Sequence, residues 1–161
     1  MLEATAELTA AAGYERYEIS NYARPGYRCR HNLDCWSLGE YRGFGAAAHS
    51  FLRLPAPVRF ANTPDIDDYV RRAGSGESAV ALREETDPRR LAGEALMLAL
   101  RTADGIDEAV FAAAHGAPWE ELFAEAAALA SERGWLERDA GPLRLTEAGM
   151  LFSDALFRLL F

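Results

Sequence analysis

The chain has 161 residues, 50% of them apolar, and a formal net charge of -8, which leaves room for one ordinary domain, or a small domain plus part of another, around a buried core. That acidic balance argues against non-specific nucleic-acid or anionic-membrane binding, both of which need a positive field, and no apolar run approaches the roughly 18–20 residues of a membrane span. Two cysteines, Cys29 and Cys35, without a charged-apolar-small leader, fit a reduced, cytoplasmic setting.

Leu2 to Ala12 predicts a helix ended by Gly13, followed by a short strand from Tyr14 to Ile19. A single helix–strand step cannot form a parallel sheet, so this stretch reads as the edge of something larger. Ser20 to Pro57 reads as irregular, with turn signals at Arg24-Pro25-Gly26 and Leu38-Gly39 and a strand from Ala46 to Leu54; Val58 to Ala61 is a second strand. Thr63 as N-cap, Pro64 at the first helical position and Asp65, Asp67 and Asp68 beside the positive helix end predict a helix to about Ala73. Gly74-Ser75-Gly76 reads as a linker, and Ala79 to Leu82 as extended. Asp87-Pro88 then opens a helix carrying Leu91, Ala95, Leu98 and Ala99 at helical spacing.

Further helices are expected over Asp107 to Ala114, Pro118 to about Arg133 and Glu147 to Leu160, with two short strands about an Asp139-Ala140-Gly141 turn before the last. Leu122, Leu129, Trp135, Leu136, Leu143 and Leu145 are the expected core of this part, and helix, helix, hairpin, helix is the order of a winged-helix unit. Between Ile106 and Thr146, however, eight acids face three arginines, a surface that cannot assemble phosphate contacts. His115-Gly116 reads as a helix terminus.

The segment from Ile19 to Leu33 contains no acid and carries Arg24, Arg28 and Arg30. Such guanidinium forks suit a ligand bearing carboxylates; the plainer alternative is that they pair with Glu18, Asp34 or Glu40. His31 lies between Cys29 and Cys35. That spacing is open to three readings: an imidazole or thiolate that ligates haem iron, with Tyr22, Tyr27 and Trp36 stacking on the ring; zinc held by Cys29, His31 and Cys35; or a turn-capping histidine beside two inert thiols. Gly43-Phe44-Gly45-Ala46-Ala47-Ala48 satisfies the letter of a dinucleotide fingerprint but lacks the entering strand and leaving helix, so the small residues are assigned to close approach of a backbone or ligand.

Three runs together carry a resemblance: Tyr17-Glu18-Ile19-Ser20-Asn21-Tyr22-Ala23-Arg24-Pro25-Gly26, His31-Asn32-Leu33-Asp34-Cys35-Trp36 and Gly43-Phe44-Gly45-Ala46-Ala47-Ala48-His49-Ser50. The chain resembles the carboxy-terminal part of the HemW group, radical S-adenosylmethionine proteins related to oxygen-independent coproporphyrinogen III oxidase. Weaker likeness extends over Arg59-Phe60-Ala61-Asn62, Glu94 to Arg101 and Arg144 to Gly149. The group's His-Asn-x-x-Tyr-Trp motif is matched at His31, Asn32 and Trp36, while Cys35 replaces its tyrosine. The Cys-x-x-x-Cys-x-x-Cys that would hold an iron-sulfur cluster is absent.

The resemblance implies an α+β, mostly helical fold: the terminal piece of a partial (β/α) barrel over residues 1–62, a linking helix and linker over 63–86, and a winged-helix-like domain over 87–161. It implies haem or porphyrin binding and transfer to haem-accepting proteins, with His31, Asn32, Cys35, Trp36, Arg24, Arg28 and Arg30 as haem contacts and no metal beyond iron at His31. Tyr22, Gly43, Gly45 and His49 become lining candidates for an S-adenosylmethionine and substrate cavity. The [4Fe-4S] cluster and S-adenosylmethionine are expected only with an amino-terminal half. Oxygen-independent coproporphyrinogen oxidation and a non-enzymatic winged-helix interaction module are the alternatives, and a barrel edge without neighbours predicts self-association.

Overall fold

The structure, a computed structural model, describes residues 2–53, 56–138 and 141–161. The chain divides into two compact units: Gly39–Asp87 forms one, and the residues up to Leu38 together with Pro88–Phe161 form the other. Both mix helices with small antiparallel sheets.

In the larger unit, helix α1 (Leu2–Ala11) precedes strand β1 (Glu15–Arg16), which turns back to pair antiparallel with β2 (Tyr22–Ala23). The expected Tyr14–Ile19 strand is thus cut to two residues, and Glu18 instead bridges to Thr102. Helix α2 (Arg30–Trp36) forms where the sequence reading expected irregular chain. Helix α4 (Pro88–Leu100) starts at its predicted proline and buries Ala92, Gly93, Leu96 and Leu100. Helix α5 (Glu108–His115) is capped by the Asp107 carboxylate, which accepts from Ala109 N and Val110 N at 2.9 and 3.0 Å, and ends at Gly116 with φ +85°.

The predicted Pro118–Arg133 helix is two helices, α6 (Trp119–Leu122) and α7 (Ala124–Arg133), separated at Phe123 (φ -133°, ψ 56°). The Phe123 ring is buried there beneath the Arg89 guanidinium, 5.0 Å from its centroid. Strands β6 (Leu136–Glu137) and β7 (Arg144–Leu145) pair antiparallel; Asp139 and Ala140 of the expected turn lie outside the described residues, as does Leu54 of an earlier predicted strand. The closing helix is likewise divided, into α8 (Glu147–Leu151) and α9 (Ser153–Phe157) followed by a 3-10 turn (Arg158–Leu160). Phe152, at the break, stacks on Trp135 with centroids 5.9 Å apart. The core joins α4, α5, α6, α7, β7 and α9; Trp135, Leu143 and Leu145 are buried in it and Leu122, Leu129 and Leu136 pack against it.

The smaller unit is a three-stranded antiparallel sheet, β3 (His49–Leu52), β4 (Val58–Asn62) and β5 (Val80–Glu85), with β4 in the centre and helix α3 (Ile66–Ser75) between β4 and β5 in sequence. The α3 cap is Asp65, not Thr63: the Asp65 carboxylate accepts from Asp68 N at 2.8 Å, and Thr63 is buried one turn earlier. Gly74 and Ser75 remain helical and Gly76 (φ +76°) closes the helix in a left-handed cap, so the glycine-rich triplet terminates α3 and is not a linker. Hydrogen bonds from Arg72, and then Arg71, hold the Asp68 carboxyl down at about 2.

Two tests follow from the packing. A Cβ at buried Gly149 would overlap the Trp135 carbonyl, so Gly149→Ala is expected to cost about 1–3 kcal/mol in a denaturant melt. The β6 side of the hairpin is tied to α5 and α6 by Arg138, which donates to both Glu108 oxygens at 2.8 Å and to Glu120 at 2.7 Å. The Arg138 hydrogen bond lowers the Glu108 pKa below its ordinary value of 4.5, with the Trp119 indole adding to it. A lowered folded-state value makes this contribution complete above pH 4.5 and lost as pH falls through the lower value. Melting temperature measured from pH 7 to pH 3 is therefore expected to fall less steeply at the acid end in Arg138→Met than in the parent chain.

Candidate functional site

Helix α2 is one and a half turns long and begins after Cys29, whose backbone is extended (φ -71°, ψ 113°) and whose side chain caps nothing. Its second and sixth residues, His31 and Cys35, stand four apart and so share one face. The imidazole Nε2 and the thiol Sγ lie 3.9 Å apart, and both side chains, like Cys29, face solvent. Trp36 is half-buried at the end of the helix. Asn32 donates to the hydroxyl of buried Tyr17 at 3.4 Å, a long contact that nonetheless links α2 to the segment after β1.

The three arginines have different fates. Arg28 donates to both oxygens of Asp104, at 2.8 and 3.0 Å, a partner 76 residues away and none of the three acids the sequence suggested. Arg24 lies over the Tyr14 ring at 5.2 Å, and Arg30 is exposed without an ion pair among the described residues. Two exposed guanidiniums therefore remain open to an incoming carboxylate, whereas one at Arg28 would displace Asp104. Tyr22 is half-buried and its hydroxyl is enclosed without a hydrogen-bond partner among the described residues.

Gly43, Gly45 and His49 belong to the smaller unit. Gly43 donates to Ser50 Oγ at 3.1 Å, and a Cβ there would overlap the His49 carbonyl. Gly45 (φ +109°) donates to the Tyr69 hydroxyl at 3.0 Å and accepts from Asn62 Nδ2 at 2.9 Å. These glycines serve close approach of the chain to itself, and the run leads into β3 and not into a helix. His49 is exposed on β3, opposite Ala61. Among the described residues no three His, Cys, Asp or Glu side chains gather as metal ligands; Asp65 and Asp68 are instead occupied in the cap and arginine contacts of α3.

A residue the sequence reading took only as a surface partner, Glu18, is fully buried, with Ser20 N and Oγ on its carboxylate at 3.2 and 3.3 Å. Its one sequence signal is an acid enclosed by Tyr17 and Ile19.

Comparison with known proteins assigns residues 87–152 to the HemN C-terminal domain family. The chain is 28% identical over 157 residues to the heme chaperone HemW of Bacillus subtilis (strain 168), covering 98% of this chain and 41% of that protein. It is 32% identical over 151 residues to the heme chaperone HemW of Mycobacterium tuberculosis (strain ATCC 25618 / H37Rv), covering 94% and 36%. Among solved structures, the coproporphyrinogen III oxidase (HemN) of Escherichia coli, described as a radical SAM enzyme, superimposes with a TM-score of 0.75 at 14% identity, over 99% of this chain and 39% of that one. The chain thus spans 36–41% of the length of these relatives.

The exposure of both thiols has a direct check: an aromatic disulfide reagent is expected to titrate two thiols per native chain at a rate close to that of the unfolded chain. A thiol released only on denaturation would contradict this placement.

Proposed function

We propose, from the premise that this chain is HemW-like and carries a HemN C-terminal domain, that it contributes the haem-contacting surface of a haem chaperone. The observation that carries the reading is that His31 and Cys35, an imidazole and a thiol of the kinds that can ligate iron, are open to solvent side by side on α2. Haem is the cargo. His31 offers a neutral imidazole to its iron, Trp36 an indole to its ring, and Arg24 and Arg30 the cations for its propionates, with Arg28 recruited from Asp104. Asn32 positions the helix through Tyr17, and Cys35 stands beside His31 as the competing donor.

Coproporphyrinogen oxidation is the weaker alternative, because the relatives matched at 28% and 32% identity are named heme chaperones while the HemN structure, at 14%, speaks for the fold. An iron-sulfur cluster needs three or four thiolates, and the two here, Cys29 and Cys35, do not make that set. In this reading the cluster and S-adenosylmethionine belong to the remaining length of a longer protein, where together they would supply radical chemistry. Gly43, Gly45 and His49 of the smaller unit are then candidates for the lining of its cavity. The order α5, α7, β6–β7 hairpin, α8 supports a winged-helix-like carboxy-terminal part that serves packing, given its acidic surface. A cytoplasmic protein that passes haem to acceptor proteins completes the proposal.

Titration with haemin tests it. A saturable Soret shift is expected in the parent chain; His31→Ala removes or alters it, and Arg30→Ala weakens binding about fivefold, the effect of one exposed charge-assisted contact of about 1 kcal/mol. A shift unchanged in His31→Ala removes the ligand assignment, and the absence of any shift removes the haem surface.

A further inference from the structure

The larger unit contains a charged cavity of about 310 Å³ walled by Arg16, Glu18, Glu137, Arg144, Glu147 and Met150. Two guanidiniums and three carboxylates therefore face one small space, yet none of these five side chains forms an ion pair among the described residues. One of the groups is enclosed and a second, Arg144, is half-buried. Glu18 is 1% exposed, with only the two long Ser20 contacts on its carboxylate. The Arg144 Nε is buried without a hydrogen-bond partner among the described residues. Buried charges are ordinarily paired, and an orphaned guanidinium N–H beside an under-coordinated carboxylate marks a place where a partner of both signs is missing.

The walls are fixed by backbone. Glu18 bridges to Thr102, and Ala103 N donates to Tyr17 O at 3.0 Å. Arg144 and Glu137 are cross-strand partners in the β6–β7 hairpin. The neighbouring residue, Leu143, exchanges both backbone hydrogen bonds with Ile106 at 2.9 Å. These pairings fix the backbone positions from which the charged side chains reach the cavity. A volume of about 310 Å³ lies at the small end of ligand pockets, about 300–1,000 Å³.

We propose that this cavity binds an α-amino acid that carries a second cationic centre. Its carboxylate is received by Arg144 and Arg16, its α-ammonium by Glu18 and Glu147, and its distal cation by Glu137, with Met150 and Leu145 against the aliphatic stem. Such a ligand has one negative and two positive centres, the complement of the two guanidiniums and three carboxylates; water could satisfy the Arg144 N–H but not that imbalance.

Isothermal titration with L-lysine as probe, beside cadaverine, which lacks the carboxylate, and L-norleucine, which lacks the distal ammonium, tests the assignment. Saturable binding of L-lysine is expected, at least tenfold weaker for either analogue. Glu137→Gln, a half-buried position in the hairpin, is expected to weaken L-lysine at least fivefold while leaving the melting temperature of the free chain unchanged, and Arg144→Lys, which retains charge but loses the guanidinium fork, is expected to weaken it at least tenfold. Lack of saturable heat with L-lysine, equal affinity for either analogue, or unchanged affinity in both variants overturns the proposal. The haemin titration is independent of all three outcomes.

Discussion

The turn from Thr102 to Ile106 is held by backbone on both sides, and much of the larger unit depends on it. On one flank Thr102 bridges to Glu18; on the other Ile106 and Leu143 exchange two hydrogen bonds of 2.9 Å. Within the turn, the Thr102 hydroxyl donates to Ala99 O at 2.8 Å and accepts from Gly105 N at 3.2 Å. Gly105 has φ +66°, and a Cβ there would overlap the Leu143 carbonyl, so this position needs glycine for both conformation and space. The buried Leu100 and Ile106 anchor its ends in the core. Between them Asp104 projects outward to receive Arg28, and Ala103 closes one wall of the charged cavity.

This turn therefore ties together segments remote in sequence. The stretch after β1 would otherwise have only β2 as a pairing partner, a two-residue ladder of little independent stability. Docking its backbone on Thr102 and Ala103 encloses Tyr17 and Glu18 and, through Tyr17, gives Asn32 of α2 its contact. The haem surface proposed on α2 and the charged cavity thus share a support. At α2 the donors stand in water and a large flat ligand would supply the desolvation. In the cavity Glu18 is already withdrawn from water while Arg16, Glu137 and Arg144 are half-buried and Glu147 is exposed, so recognition rests on the complement of sign.

The smaller unit shows how the same residue types answer two demands. The Gly43-Phe44-Gly45 run resembles a motif element, yet Gly43 is required where the chain passes the His49 carbonyl, and Gly45 donates to the Tyr69 hydroxyl and accepts from the Asn62 amide. These contacts alone account for the small residues. His49 and Phe44, by contrast, are exposed and carry no such internal duty.

Features legible in the sequence are those whose cause lies within a few residues. Asp107, Thr146, Gly116 and the proline at position 88 act on the helix ends adjoining them, and the apolar spacing around Trp135, Leu143 and Leu145 marked a core whatever its partners. The His31, Asn32 and Trp36 run was likewise readable as a chemical signature, although the helix that presents it was not. Long-range competition decided the rest. Asp65 took the cap from Thr63 when Thr63 was buried; Phe123 and Phe152 broke predicted helices at ring contacts with Arg89 and Trp135; β1 paired backward with β2. Arg28 found its carboxylate 76 residues away, and Glu18 was buried where its backbone bridges to Thr102, remote from it in sequence. By itself the sequence determined where several helices are capped and closed and which side chains are available for chemistry, because those are set by local backbone sterics and residue type. Only the tertiary structure decided which charges are paired, which are exposed and which are buried without a partner, because charge pairing and desolvation depend on neighbours that the chain brings together from distant positions.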